Sequence, residues 1–302
     1  MDADLLVSFL TSAVRVATPL LLAALGETLA ERGGVINLGI EGAMLAGALA
    51  GAIGSTVGGP WAGTLAAALT GAMLSLGFGL IAVAAGANQI ISGTAITLGA
   101  VGATGAIYRE VYGSAGVGLS LPTFPVIPIP GLARIPLLGP ALFEQSILTY
   151  LGYVAVPALW FLLFRTRWGL ALRAAGESVE AATAAGVRVK RIRIVALVLG
   201  GMFAGIAGAS LVLAQVGTFA EKMTAGRGFM AVAIVVLGGW RPGRVAGAAL
   251  FFGAAMALQF LFQSIVSNLP YQLFLMLPYL LTLLVLAGGV GRVRSPAELG
   301  RE

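Results

Sequence analysis

The chain has 302 residues, 59% of them hydrophobic and only 10% charged, with a net charge of +6 and a mean hydropathy of +0.98. A soluble domain carries about 25% charged residues and cannot hide so much apolar surface, so these values exclude one and leave an all-α polytopic membrane protein. The absence of cysteine and histidine excludes disulfides, Cys/His zinc sites, haem ligation through histidine and histidine proton relays.

The start, MDADLLVSFL, has two acids and no basic n-region, unlike a cleaved signal peptide. A span needs about 20 apolar residues to cross roughly 30 Å of hydrocarbon. In chain order the candidates are Leu5–Leu25, Ile36–Val57, Trp61–Ala85, Ala87–Tyr108, Ile147–Phe164, Ile194–Val216, Phe229–Trp240, Val245–Phe262 and Leu273–Val290. The expected count is about nine, within a range of about eight to ten, in one transmembrane domain over residues 1–302. The seventh segment is short and bounded by Gly226, Gly228, Gly238 and Gly239, so a tilted span, a half-helix and a re-entrant segment all remain open. The 44 glycines suit close helix approach in lipid. Gly47/Gly51, Gly201/Gly205 and Gly243/Gly247 have the small-x-x-x-small spacing, though in so glycine-rich a chain such pairs also arise by chance.

One polar island interrupts this pattern. Residues 165–193 hold seven of the 18 basic residues and two of the 12 acids. Lys and Arg bias loops against translocation, so this loop is expected in the cytoplasm. Residues 109–146 then form the large external loop, whose six prolines from Pro122 to Pro140 rule out a long regular helix and favour short extended pieces or turns. By the same count the N-terminus lies outside, and the tail with Arg292, Arg294 and Arg301 lies inside if the seventh segment crosses. The charge reads as a topology signal rather than a nucleic-acid footprint.

Polar groups within or at the ends of spans are costly and often functional. Asn37 and Glu41 are four apart on one expected helical face, after a break permitted by Gly33 and Gly34. They read either as a helix start with a favourably placed acid or as the lining of a path. Asn88, Ser92 and, more loosely, Gln89 share a face at the start of the fourth span, with Thr94 beside them. Amides and hydroxyls suit a neutral hydroxylated or heterocyclic solute better than an ion, and capping with interhelical hydrogen bonding is the structural alternative. Gln259, Gln263, Asn268 and Gln272 sit near the outer end of the last two spans and read as mouth-lining or interfacial. Arg15 lies mid-span, where snorkelling or pairing with another helix accounts for it better than substrate contact.

The only lysines, Lys190 and Lys222, do not follow a glycine, so the Walker A pattern is missing and the chain cannot hydrolyse ATP by that route. No carboxylate pair lies mid-membrane; Glu27, Glu31 and Glu41 cluster at one end near Arg32. Energy for uphill transport therefore points to a partner.

Glu180-Ala181-Ala182-x-x-x-Gly186 resembles the EAA motif by which permease subunits of bacterial ABC importers contact their ATPase, without the usual hydrophobic-Pro end. Gly34–Gly42, Gln89–Ala95, Leu172–Glu177 and Val236–Gly239 are similar, in the same order, to the branch serving branched-chain amino acids, simple sugars and nucleosides. Asn88–Ala95 and the tail Ser295–Gly300 most resemble a permease of nucleoside uptake. The resemblance implies a type II importer architecture and a multi-pass subunit of the bacterial plasma membrane. It implies a second homologous permease, a cytoplasmic ATPase that carries the ATP and Mg, and an extracytoplasmic substrate-binding lipoprotein. The chain itself would hold no cofactor. Coupling would fall to Arg173, Glu177, Glu180, Ala181, Ala182 and Gly186, with Arg173–Gly186 as the coupling region. A simple-sugar or branched-chain amino-acid permease, or a stand-alone secondary carrier, is the alternative.

Overall fold

The computed structural model describes residues 3–113, 120–265, 276, 280, 283 and 294–301. The expected ninth span, Leu273–Val290, lies outside the described residues apart from Met276, Leu280 and Leu283, as do Arg292, Asn268, Gln272 and the side chain of Gln263.

The first helix, α1 (Ala3–Arg32), carries Asp4 in its first turn and Arg32 in its last, each sign matched to the partial charge of that end. The next, α2 (Ile40–Phe78), is interrupted at Gly58 and Gly59; Gly59 takes φ 76, a conformation open to glycine without strain, and Pro60 opens the second arm. The two arms return against each other so closely that a Cβ at Gly63 would lie 2.5 Å from the Gly51 carbonyl oxygen. A π-helical turn, Gly79–Ala84, extends the second arm before α3 (Gln89–Tyr112).

The proline-rich stretch holds short pieces: β1 (Val126–Pro128), a 3-10 turn at Leu132–Arg134, α4 (Leu138–Phe143) and β2 (Glu144–Ser146). The two strands pair antiparallel, Val126 opposite Ser146, which makes the described chain not purely α. Pro125 and Pro128 disfavour helix on either side of Val126 and leave extended backbone, which β2 then pairs. Next come α5 (Ile147–Arg165), α6 (Arg167–Glu177), α7 (Val179–Ala184), α8 (Val189–Leu211) with a π-helical turn at Val212–Val216, α9 (Arg227–Gly238) and α10 (Pro242–Ile265).

Among the described residues six helical stretches are long and apolar enough to cross a membrane, one of them the folded-back Ile40–Ala84. The expected count of nine is not reached among them. The seventh candidate is the 12-residue α9, about 18 Å long at 1.5 Å per residue and too short for the hydrocarbon layer.

The bundle is organised around α8, which lies between α1 and both arms of α2. Its glycines meet backbone, joined at Gly201 by the Ser75 side chain. A Cβ at Gly205 would fall on the Ala67 carbonyl, one at Gly208 on the Met44 carbonyl, and one at Gly201 on the Gly71 carbonyl. Leu20, Leu22 and Leu25 of α1 then form the largest core cluster with Met44, Leu163, Ile234 and Phe252. Of the three small-x-x-x-small pairs, Gly201, Gly205 and Gly47 are at such contacts and Gly51 is at ordinary van der Waals distance from Ala209, whereas Gly243 and Gly247 face open space.

Gly205→Ala is expected to lower the detergent-solubilised stability by about 2 kcal/mol, because one methyl cannot enter a backbone contact without moving a helix. Gly247→Ala, with no atom nearby, is expected to change it by less than about 1 kcal/mol. Apparent Tm values of the two variants provide the comparison.

Candidate functional site

The polar island folds into three short steps. Thr166 caps α6 by accepting from the Gly169 N–H at 3.0 Å, and α6 buries Gly169, Leu172, Ala175 and Gly176. Ser178 caps α7 by accepting from the Ala181 N–H at 3.2 Å. α7 ends with Gly186 left-handed at φ 81; the Val187 N–H donates to the Ala182 carbonyl and the Gly186 N–H to the Thr183 carbonyl. This pair of bonds is a Schellman termination, and Val187 and Ala182 make its hydrophobic contact.

The glycine ending of the EAA-like motif thus has a local physical cause. Ala182 is buried against Ala175 and Val189, while Glu180, Ala181, Thr183, Ala184 and Gly186 are exposed on α7 and its end. Glu177 is exposed as well. Arg173 folds back instead: its Nε donates to the Leu163 carbonyl at 3.0 Å and its guanidinium lies 5.0 Å from the Phe164 ring centre.

Arg193 seats this platform on the rest of the bundle, donating from Nε to the Gly33 carbonyl at 2.7 Å and from Nη2 to the Ala175 carbonyl at 3.1 Å. Lys190 donates from Nζ to the Ala84 carbonyl at 3.1 Å, joining the start of α8 to the end of the second α2 arm. Between α7, Arg188–Arg193, Ala82–Gly86 and the tail residues Glu298 and Arg301 runs an open cleft of about 1180 Å³.

The two polar clusters meet at this same end. Asn37 precedes α2 instead of sharing its face with Glu41, because Gly34 is left-handed at φ 88 and the Asn37 Oδ1 accepts from the Gly39 N–H at 3.0 Å, holding a turn. α3 presses onto that turn: a Cβ at Gly93 would lie 2.9 Å from the Gly39 nitrogen, and the Thr97 hydroxyl donates to the Leu38 carbonyl at 3.0 Å. Asn88 caps α3, accepting from the Ile90 and Ile91 N–H groups. Gln89 is buried and bridges, its Oε1 accepting from the Ile36 N–H at 2.9 Å and its Nε2 donating to the Arg301 carbonyl at 3.1 Å. Ser92 is buried, whereas Thr94 is exposed and donates to the backbone one turn back.

Glu41 is buried and spends both oxygens on α9. Its Oε1 accepts from the Thr224 hydroxyl at 2.6 Å and the Gly226 N–H at 2.9 Å, and its Oε2 accepts from the Gly228 N–H at 2.6 Å. A carboxylate at a helix N-terminus meets both orphan N–H donors and the favourable end of the helix dipole. The far end of α9 is held from α1: Glu31 accepts from the Trp240 indole N–H at 2.5 Å, and Arg32 donates to the Trp240 carbonyl at 2.9 Å. Glu27 accepts from the Asn37 N–H at 2.9 Å.

The roles of Thr224, Trp240, Arg193 and Thr97 were not visible in sequence. Only the proximity of Glu27, Glu31, Glu41 and Arg32 in the chain hinted at this network. Gln259 is buried, and Arg15 is exposed on α1 with its carbonyl accepting from Gln215 Nε2 at 2.7 Å.

Membrane-length helices bundled around α8, with the short exposed α7 at one end, describe a polytopic membrane protein. Residues 9–286 match the family described as branched-chain amino acid transport system / permease component, and the chain belongs to that family. It is 36% identical over 311 residues to the guanosine ABC transporter permease protein NupQ of Bacillus subtilis, covering 99% of this chain and 98% of the relative. The putative glucose ABC transporter permease protein TsgC13 of Haloferax volcanii is 40% identical over 261 residues, covering 85% of this chain and 78% of the relative. The nucleoside ABC transporter permease protein NupC of Lactococcus lactis is 33% identical over 294 residues, covering 94% and 92%. No solved structure matches the chain.

Glu41→Ala leaves three donors without their acceptor and is expected to cost about 3 kcal/mol of stability, Glu41→Gln less, and Thr224→Val least. Thermal unfolding of the three purified variants checks that order.

Proposed function

We propose that the chain is the permease subunit of an ATP-driven nucleoside importer, working by alternating access with a separate cytoplasmic ATPase. The observation that carries the coupling part is the exposed α7, seated on α6 and α8 through Ala182 and closed at Gly186. Closure of the ATPase on ATP would push this helix, and the push would reach the bundle through Val189 and Arg193 at the start of α8. The guanosine and nucleoside permeases among the relatives, each covering more than nine-tenths of the chain, favour a nucleoside as solute.

The remaining parts of the reading follow from the family. They are a second homologous permease completing the pathway and an extracytoplasmic lipoprotein that delivers the solute; about nine spans and a cytoplasmic 165–193 loop rest instead on the apolar runs and on the basic residues of that loop. The glucose permease relative at 40% identity supports a sugar as the second reading.

Proteoliposomes holding the full transporter test both. ATP-dependent uptake of labelled guanosine, uncompeted by glucose, is the expected result; glucose uptake with no guanosine uptake would select the sugar reading. Gradient-driven uptake by this chain without the ATPase would overturn the ABC mechanism. Glu180→Lys, which reverses the charge of an exposed α7 residue, and Gly186→Arg, which places a bulky residue at φ 81, are expected to lower uptake by about tenfold or more while membrane insertion is unchanged. Wild-type uptake and ATPase recovery in both variants would refute the α7 assignment.

A further inference from the structure

The last described residues, Arg294–Arg301, return to the polar end of the bundle and are built into it. The Glu298 N–H donates to the Gly176 carbonyl at 2.9 Å, at the end of α6. The Gly300 N–H donates to the Gly34 carbonyl at 3.2 Å, in the turn before α2. The Arg301 carbonyl accepts from Gln89 Nε2, at the first residue of α3. Pro296 is buried, and Leu299 packs against the main core cluster. Three backbone groups of one short segment therefore bond to three different elements.

Those elements already touch. A Cβ at Gly176 would fall on the Arg32 carbonyl, so α6 crosses the end of α1 at backbone distance. Gln89 passes the connection on by accepting from the Ile36 N–H. The same segment also forms one wall of the cleft beside α7, through Glu298 and Arg301. It is placed where a displacement of α6 and α7 would have to be handed to the starts of α2 and α3.

We propose that Arg294–Arg301 is a strap that makes the α6–α7 platform, the Gly33–Gly39 turn and the start of α3 move as one piece, with Gln89 as its positioning residue. The proposal rests on the coupling role given to α7 above. Arg193 already ties the Gly33 carbonyl to Ala175 of α6; the strap adds a second tie, from Gly176 to Gly34 and on to Gln89, so that the turn and the start of α3 follow α6 together. Gln89 acts through its two partners and needs no contact with the solute.

The chain lacks cysteine, which makes a cross-linking test clean. Three forms of the complete transporter are compared with wild type: a truncation after Val293, Gln89→Glu, and the pair Gly34→Cys with Glu298→Cys. Gln89→Glu keeps the acceptor for Ile36 and removes the donor to Arg301. A Cβ at Gly34 would lie 3.2 Å from the Glu298 Cβ, and because Gly34 has φ 88 and Arg193 Nη2 would stand 2.8 Å from that Cβ, the reduced pair is the reference for the oxidised one.

Truncation is expected to leave the ATPase bound and hydrolysing ATP while guanosine taken up per ATP falls about tenfold; Gln89→Glu should fall by a smaller factor, and the oxidised cysteine pair should keep the ratio of its own reduced form. Amide exchange at Ile36 in the purified chain should quicken about tenfold on truncation, the equivalent of one lost hydrogen bond, whatever solute the transporter carries. An unchanged exchange rate, or an unchanged uptake-to-ATP ratio in the truncated form, overturns the strap. Loss of uptake in the oxidised pair, restored by reduction, also overturns it, since the tail would then have to release. Failure of the nucleoside reading shows separately, as absent guanosine uptake in the wild type, and leaves the exchange measurement to decide the strap.

Discussion

Backbone-to-backbone contact along α8 is the constraint on which the remaining geometry depends. In lipid the tails are as apolar as the helices, so association rests on packing and interhelical polar contacts rather than hydrophobic drive. Four glycines of α8 meet five residues of α1 and the two α2 arms. Gly200 abuts Gly26 of α1, Gly201 abuts Gly71 of the second α2 arm, Gly205 abuts Ala67 there and Gly47 of the first, and Gly208 abuts Met44. Apart from the Ser75 side chain at Gly201, these contacts have no side chain between them that could change rotamer and absorb a shift. A displacement of the start of α8 is therefore carried into α1 and both arms of α2. That start, Val189–Arg193, follows Gly186 by only three residues and holds the Gly33 carbonyl through Arg193.

A second constraint comes from buried irregular backbone, whose polar groups must find partners within the protein. The turn before α2 and the segment before α9 are such places, and buried carboxylates serve them. Glu27 takes the Asn37 N–H, and Glu41 takes the N–H groups of Gly226 and Gly228. The chemical consequence is that these acids face inward to the protein's own donors. Their acceptor capacity goes to fixing where two elements begin, and the short α9 can exist as a half-length helix because both of its ends are tied to longer neighbours.

Much of this was legible in the sequence because it rests on local signals. The span positions follow from runs of apolar residues, the break between the α2 arms falls between the expected spans Ile36–Val57 and Trp61–Ala85, and Gly186 marks the end of α7. Long-range pairing was not legible. Asn37 and Glu41 have the spacing of one helical face, yet a left-handed Gly34 and the Asn37 cap keep Asn37 out of the helix, and Glu41 bonds to a segment about 185 residues away. Arg173 belongs to a basic loop by composition but is turned onto the Leu163 carbonyl and the Phe164 ring by contacts that spacing does not encode. Glycine content announced close approach without saying which pairs: Gly205 is at a backbone contact, and Gly247, in an identical pattern, faces open space.

The turn Gly33–Gly39 is where these constraints converge, which gives it more mechanical weight than its seven residues suggest. Arg193 of α8 holds its first carbonyl, Glu27 of α1 holds its Asn37 amide, Gln89 of α3 holds its Ile36 amide, and Thr97 holds the Leu38 carbonyl. It leads directly into Glu41, which fixes the start of α9. A turn bonded on so many sides cannot respond to one neighbour alone. Moving it requires moving the ends of α1, α3 and α8 together, so displacements at the start of α8 and at α9 are linked through the same few hydrogen bonds.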